Sequence, residues 1–184
     1  MNHKGTKTIE TSRLILRKFQ PNDIVPAFNN WTSDSLVTEF LRWPTHKDVS
    51  VTEGVVNEWI ELSSRDDFYQ WAIVLKEINE PIGTISVVDI NEQINALTVG
   101  YCIGKKWWHQ GITSEAFSAI IPYFFREIGA NRIEAHHDPD NLNSGNVMKK
   151  CGLKYEGTLR QADVNNRGIV DVCIYSILKD EWNK

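Results

Sequence analysis

Hydrophobic positions change their period several times along this chain, and each change marks an element. In SRLILRKF (12–19), Leu14 and Leu16 share one face against Ile15 and Arg17, the alternation of a partly buried strand. PNDIVPAFNNW follows with helix-compatible spacing that Pro26 limits to short pieces. Val55, Val56, Trp59, Ile60 and Leu62 recur at helical spacing behind an S-x-x-E capping box, Ser50 and Glu53, so a helix is predicted over 51–64. Three strand-like runs, 69–76, 81–90 and 95–104, are separated only by EINE and NEQI and predict an antiparallel meander.

After Gly111, the positions Ala116, Ala119, Ile120, Tyr123 and Phe124 return to helical period, with Pro122 predicting a kink and Gly129 a left-handed stop. In NRIEAHHDP (131–139), Ile133, Ala135 and His137 point one way and Glu134 and His136 the other, as in a strand. A short helix over 143–152, closed by Gly152, precedes a hairpin whose two strands meet across NNRG. The order predicts one domain over 1–184, of α/β (α+β) class: a mixed, mostly antiparallel sheet of six to seven strands flanked by helices. Strand 95–104, the helix after Gly111 and strand 131–138 form one crossover with parallel strands, which brings the helix N-terminus to the carboxyl end of the first strand. Ligands of open α/β sheets sit there. GKKWWHQGITSEAF (104–117) occupies that junction, and it reads either as an anion cradle of free backbone amides or as a plain loop capping a helix.

Bulk properties narrow the function. With 41% hydrophobic residues in 184, the chain can fill a core, and a net charge of −4 gives no basic field to gather nucleic acid. No run approaches the roughly 18 apolar residues of a spanning helix, and MNHKGTKTIETSR lacks the apolar centre of a secretion signal, so no membrane partner and a cytoplasmic location are expected. Cys102, Cys151 and Cys173 are odd in number and unpaired in spacing, consistent with free thiols. Neither G-x-x-x-x-G-K-[ST] nor G-x-G-x-x-G occurs, so the anion of any cradle is not that of a P-loop nucleotide or a dinucleotide.

VGYCIGKKWWHQGITSEAFSAIIPYFF with NRIEAHHDPDNLNSGNVMKKCGLKYEGTLR resembles the GNAT superfamily of acetyl-CoA-dependent N-acetyltransferases, nearest the branch of ribosomal-protein N-terminal acetyltransferases, and the likeness runs from TSRLILRKF to DVCIYSILKDEW. The resemblance implies a sheet splayed between strands 95–104 and 131–138, and acetyl-CoA as cosubstrate with no metal. Its pyrophosphate would lie on the loop Trp108, His109, Gln110, Gly111, Ile112 and Thr113, with Ser114 following; Thr113 stands where a smaller residue is usual. It further implies Asn141, Asn146 and Lys150 as coenzyme contacts, Lys105 and Lys106 near the 3′-phosphate, and a bulge in the first strand that makes Cys102 and Ile103 backbone donors to the thioester carbonyl. The helical tyrosine of many relatives is Met148 here, which cannot donate a proton, and Ser144 one turn earlier takes its place. Ser144 also reads as a helix cap, as do Asn141 and Asn143.

Acetyl transfer from a thioester to an amine requires a deprotonated amine, a polarised carbonyl, a stabilised thiolate and proximity. For the base, the glutamate of relatives is Thr98 here, which leaves Asp89, Glu134, His136 and His137, each with a structural reading beside it. A metal site at His136, His137 and Asp138 is rejected because adjacent strand residues face opposite ways. Trp31, Phe40 and Trp43 fall in the stretch that lines the acceptor pocket in the family, where their alternative role is core packing. The expected acceptor is a protein N-terminus, as of a ribosomal protein, or a small amine, and a homodimer is a family-level expectation. The alternative classes are a CoA-binding module without catalysis and a pure interaction protein.

Overall fold

The computed structural model describes residues 1–182. Leu14 and Leu16 are fully buried on β2 (Leu14–Arg17), as their alternation predicts, and β2 is flanked by a two-residue strand, β1 (Ile9–Glu10), that no sequence period announces. The stretch after Pro21 breaks into short pieces: α1 (Ile24–Ala27), a π turn at Phe28–Thr32 and α2 (Ser35–Thr38). Helix α3 (Val49–Leu62) begins two residues earlier than expected. Its cap is the Asp48 carboxylate, which accepts from the Ser50 amide at 2.8 Å, in place of the Ser50–Glu53 box. A carboxylate at the N-cap both accepts that amide and meets the positive end of the helix.

The meander forms as β3 (Gln70–Leu75), β4 (Glu80–Asn91) and β5 (Ala96–Ile103). Every residue of β3 is buried because both sheet faces are covered. Trp71 and Ile73 join the cluster under the crossover helix with Phe117, Ile120 and Phe124, while Ala72 and Val74 join Phe19, Trp31 and Val56 on the other face. Helix α4 (Ile112–Pro122) carries the crossover, and at Pro122, which has no N–H to donate, the ladder changes to a π turn (Tyr123–Ile128) closed by Gly129 at φ +78°. The chain returns through β6 (Arg132–His137), α5 (Leu142–Lys150), β7 (Lys154–Asn165), β8 (Gly168–Leu178) and a last turn, α6 (Lys179–Trp182).

Among the described residues the sheet has eight strands, β1-β2-β3-β4-β5-β6-β8-β7, one more than the upper sequence expectation because of β1. The β5–β6 pair is parallel and short: it runs from Ala96↔Arg132 to Val99↔Ala135 and stops, although β5 continues to Ile103 and β6 to His137. The two strands part beyond Val99. The bulge lies in β4, where the register shifts between Val87 and Asp89, and not in β5 as the resemblance implied. From Val87 to Gly83 the β4–β5 register is unbroken, so β5 keeps regular alternation up to the gap.

Candidate functional site

A cleft of about 800 Å³ opens where β5 and β6 diverge. Its floor is the end of β5, one wall is the start of α4, the other wall is α5, and residues 36–41 close the far end. The α4 start is left open: Gly111, the N-cap, sits at φ +73°, no side chain caps the helix, and the first intrahelical bond is Glu115 N–H to Gly111 O at 3.0 Å. Among the described residues no protein oxygen accepts from the amides of residues 109–114. Four free N–H groups at a helix start carry about half a positive charge into the cleft.

That loop is fixed from behind. Arg13 donates Nε to Glu115 at 2.7 Å and NH1 to the Gln110 carbonyl at 3.1 Å, and Thr11 adds a hydroxyl to the same carboxylate. Burial pushes the Glu115 carboxyl up, but the bonds from Thr11 and Arg13 outweigh it and hold it below the ordinary range. The acidic side chain in the first turn is therefore engaged outside the cleft lining. Trp108 closes the loop against the strand, its indole N–H donating to the Ile103 carbonyl at 2.9 Å.

On β5, Gly104 N–H donates to Ile82 O at 2.8 Å, so alternation turns Cys102 N–H toward β4 and leaves the N–H groups of Tyr101 and Ile103 facing the gap. Of the two expected donors, Ile103 presents its N–H to the gap and Cys102 does not, while Tyr101 presents its N–H there. The Cys102 thiol is pushed up to about 12 by burial, which keeps it protonated and unreactive.

Helix α5 gives the capping role to Asn141 rather than Ser144. Asn141 is the N-cap, its side-chain oxygen accepting from Ser144 N–H at 3.3 Å. Ser144 is left with its hydroxyl 3.0 Å from the Tyr101 hydroxyl, which also donates to the Ser144 carbonyl at 3.0 Å. Burial pushes the Tyr101 phenol above its ordinary value, against the Ser144 bond, so it stays a neutral donor. No motif marks Tyr101, although it stands at the carboxyl end of the crossover strand, where ligands of such sheets make contact.

Trp108, His109, Gly111, Ile112, Thr113, Ser114, Asn141, Ser144, Asn146 and Lys150 all line the cleft, as do atoms of Cys102 and Ile103. Gln110 does not; its side chain donates to Lys106 O at 3.0 Å and shapes the loop. Lys105 and Lys106 are exposed outside the lining. Phe40 lines the far end, but Trp31 is fully buried core, and Trp43 packs on His46 at 5.2 Å outside the lining. Met148 is buried in the core, away from any donor role.

The base candidates are not brought to the cleft. Asp89 is exposed on β4 opposite Thr98. His137 is buried beneath α5, donating Nδ1–H to Asp138 O at 2.8 Å, with Nε2 left without a partner against Gly145. Burial pushes its imidazole down, against the Asp138 bond. Glu134 and His136, on the opposite face of β6, bond each other at 3.1 Å, and Glu134 also holds Arg132. The far end instead carries Glu39 and Asp140, to which no motif or period points.

Free amides, the cationic Lys150 and gap-facing N–H groups on β5 suit a diphosphate-bearing thioester lying along α4 and α5. Residues 13–154 match the family described as "Acetyltransferase (GNAT) domain". The chain is 31% identical over 176 residues to the uncharacterized N-acetyltransferase p20 of Bacillus licheniformis, covering 96% of this chain and 98% of that one. It is 31% identical over 105 residues, 56% of this chain and 53% of the other, to the [ribosomal protein uS5]-alanine N-acetyltransferase of Escherichia coli. A solved GNAT-family acetyltransferase from Bacillus anthracis superposes with a TM-score of 0.83 at 27% identity, over 95% of this chain and 100% of that one. The chain belongs to the GNAT family and is an acetyl-CoA-dependent N-acetyltransferase.

Proposed function

We propose that this protein transfers acetyl directly from acetyl-CoA to a primary amine within a ternary complex, with a protein N-terminus as acceptor. The observation that carries the reading is the uncapped α4 start, whose free amides adjoin a gap holding a paired serine and tyrosine hydroxyl. Bound acetyl-CoA supplies the activated acetyl group. The amides of residues 109–114 and the Lys150 ammonium hold its phosphates. The N–H groups of Tyr101 and Ile103 face the gap and polarise the carbonyl oxygen, while Ser144 Oγ, oriented by Tyr101, protonates the departing sulfur, whose thiol pKa of about 8.5 makes it a tolerable leaving group. As the neutral amine's C–N bond forms, the C–S bond breaks, the amine gives up one proton to solvent and Ser144 Oγ recovers its own from solvent.

A protein N-terminus is supported by the relative named as an acetyltransferase of ribosomal protein uS5 alanine. The test is CoA thiol release from acetyl-CoA in the presence of an alanine-initiated peptide, of spermidine, or of neither. Release that depends on the peptide, with acetylated peptide found by mass spectrometry, is the expected result. CoA binding without acceptor-dependent release would instead favour a binding module.

A further inference from the structure

We propose that Glu39 is the group that reads the acceptor, docking a protonated aliphatic amine through its carboxylate at the far end of the cleft before that amine sheds a proton to solvent and attacks. The inference rests on the acetyl-transfer reading above and names the charge of the acceptor that the site selects. It starts from the way the cleft divides its charges. Helix α5 runs along one wall with Lys150 at its C-terminal end and Asp140 just before its N-terminal end, both lining the cleft. The Lys150 end adjoins the start of α4, since Cys151 Sγ reaches Ser114 O at 3.5 Å. That end is positive and suits the coenzyme's phosphates. The Asp140 end shares the cleft with residues 36–41 and is bonded to Arg167 of the β7–β8 turn, and there the charges run the other way.

Two arginines stand near that end, and both are engaged. Arg167, in the turn, donates to Asp140 at 2.6 Å and to Asp138 at 3.5 Å, and lies over the Phe40 ring at 5.2 Å. Arg42 is paired with Asp163 at 2.9 Å. Glu39 lines the cleft half-buried and, among the described residues, receives no hydrogen bond and makes no ion pair, although Arg167 lies within its electrostatic reach. Its backbone is held: Asn166 bonds the carbonyls of Thr38 and Leu41 on either side of it. A partly desolvated carboxylate, fixed at the rim of a cleft with no direct hydrogen-bond or ion-pair contact, attracts a cation of the size the cleft admits. Apolar side chains line the same cleft, Phe40 together with Leu36 and Leu142, the last two 48% and 70% exposed. That pairing of one carboxylate with apolar walls suits an ammonium carried on an aliphatic chain.

The test compares Glu39→Gln and Glu39→Asp with the unaltered enzyme, using an alanine-initiated peptide amide as the cationic acceptor and hydroxylamine, uncharged at neutral pH, as the neutral one. Glu77→Gln, in the exposed β3–β4 turn, is the control. Glu39→Gln is expected to raise KM for the peptide about tenfold, with kcat, the KM for acetyl-CoA and both constants for hydroxylamine unchanged; Glu39→Asp should recover part of the loss. A CoA-induced rise in Tm equal to that of the unaltered enzyme shows that the variant is folded. Unchanged peptide KM in Glu39→Gln, while peptide-dependent CoA release persists, overturns this inference alone. A fall in kcat for both nucleophiles at constant KM also overturns it, by placing Glu39 in the chemistry. Absence of acceptor-dependent release in the unaltered enzyme would overturn the acetyl-transfer reading with it.

Discussion

Asn141 and Ser144 both carry the oxygen a helix start needs, and only one of them is used for it. Because Asn141 takes the Ser144 amide, the serine hydroxyl is free to meet Tyr101 at 3.0 Å. Ser144→Ala is therefore expected to lower kcat roughly tenfold while leaving CoA affinity and Tm nearly unchanged, by stopped thiol-release kinetics and calorimetry; a Tm loss of several degrees with normal kcat would return Ser144 to a capping role. Gly111 gives a second test. Space is not what excludes a side chain there, since a Cβ would meet only Arg13 at 3.9 Å; the left-handed backbone at φ +73° is the constraint. A β-branched residue in that region costs about 1–3 kcal/mol, so Gly111→Val should turn the amides of the loop away and weaken CoA binding about tenfold or more. Gly129→Val, at φ +78° but outside the cleft, should lower Tm and leave CoA affinity intact. The loop itself was readable from residue types, glycine ahead of a polar helix start. The Tyr101 hydroxyl was not, because its partner lies 43 positions away.

At the scale of elements, the β7–β8 turn and the segment after α2 act as one wall because Asn166 clips them together. Its amide donates to Leu41 O at 3.1 Å and its side chain to Thr38 O and Trp43 O, both at 2.8 Å. Asn166→Ala removes the two side-chain bonds, worth about 1 kcal/mol each, and should raise acceptor KM with little change in CoA affinity, measured by steady-state kinetics and titration. Equal acceptor KM would mean that the wall holds without its clip. The same contrast explains what the sequence made legible. The meander, the crossover, the Pro122 irregularity and the α5 helix follow from local period and turn chemistry. β1, the eighth strand, shows no period because it is two residues long and exists only by pairing with β2. The cap of α3 is Asp48 and not the expected Ser50, because both are good N-cap residues and only the fold decides between them. The position of the bulge, in β4 rather than β5, depends on cross-strand register, which no single run of residues encodes.

Over the whole molecule, covering both faces of the sheet has an electrostatic consequence. His46 is 7% exposed and bonded to the Thr52 hydroxyl at 2.8 Å, and His137 is 9% exposed with Nε2 against Gly145 and no acceptor for a second proton. Burial pushes both imidazoles below their ordinary value of 6.5. In the window between 6.5 and those lowered values the unfolded chain holds protons that the folded chain does not, so stability falls as the pH falls through it and is fully present above it. A separate loss comes lower: Arg132 and the Ser176 hydroxyl hold the Glu156 carboxyl at about 2, so its contribution fades as pH drops from 4.5 toward that value, weakened by its 42% exposure. Tm should therefore be level from pH 8 to about 7 and then decline from pH 6.5 downward, well before carboxylates begin to titrate, when followed by calorimetry in buffers of constant ionic strength. Because His137 lies directly under the helix that carries Asn141 and Ser144, turnover should fall over the same interval as Tm, and saturating CoA, which binds only the folded chain, should restore part of the Tm loss. A Tm that stays level from pH 7 to pH 5, or histidine resonances that titrate near 6.5 in the folded protein, would show that these imidazoles are more open to water than their packing implies.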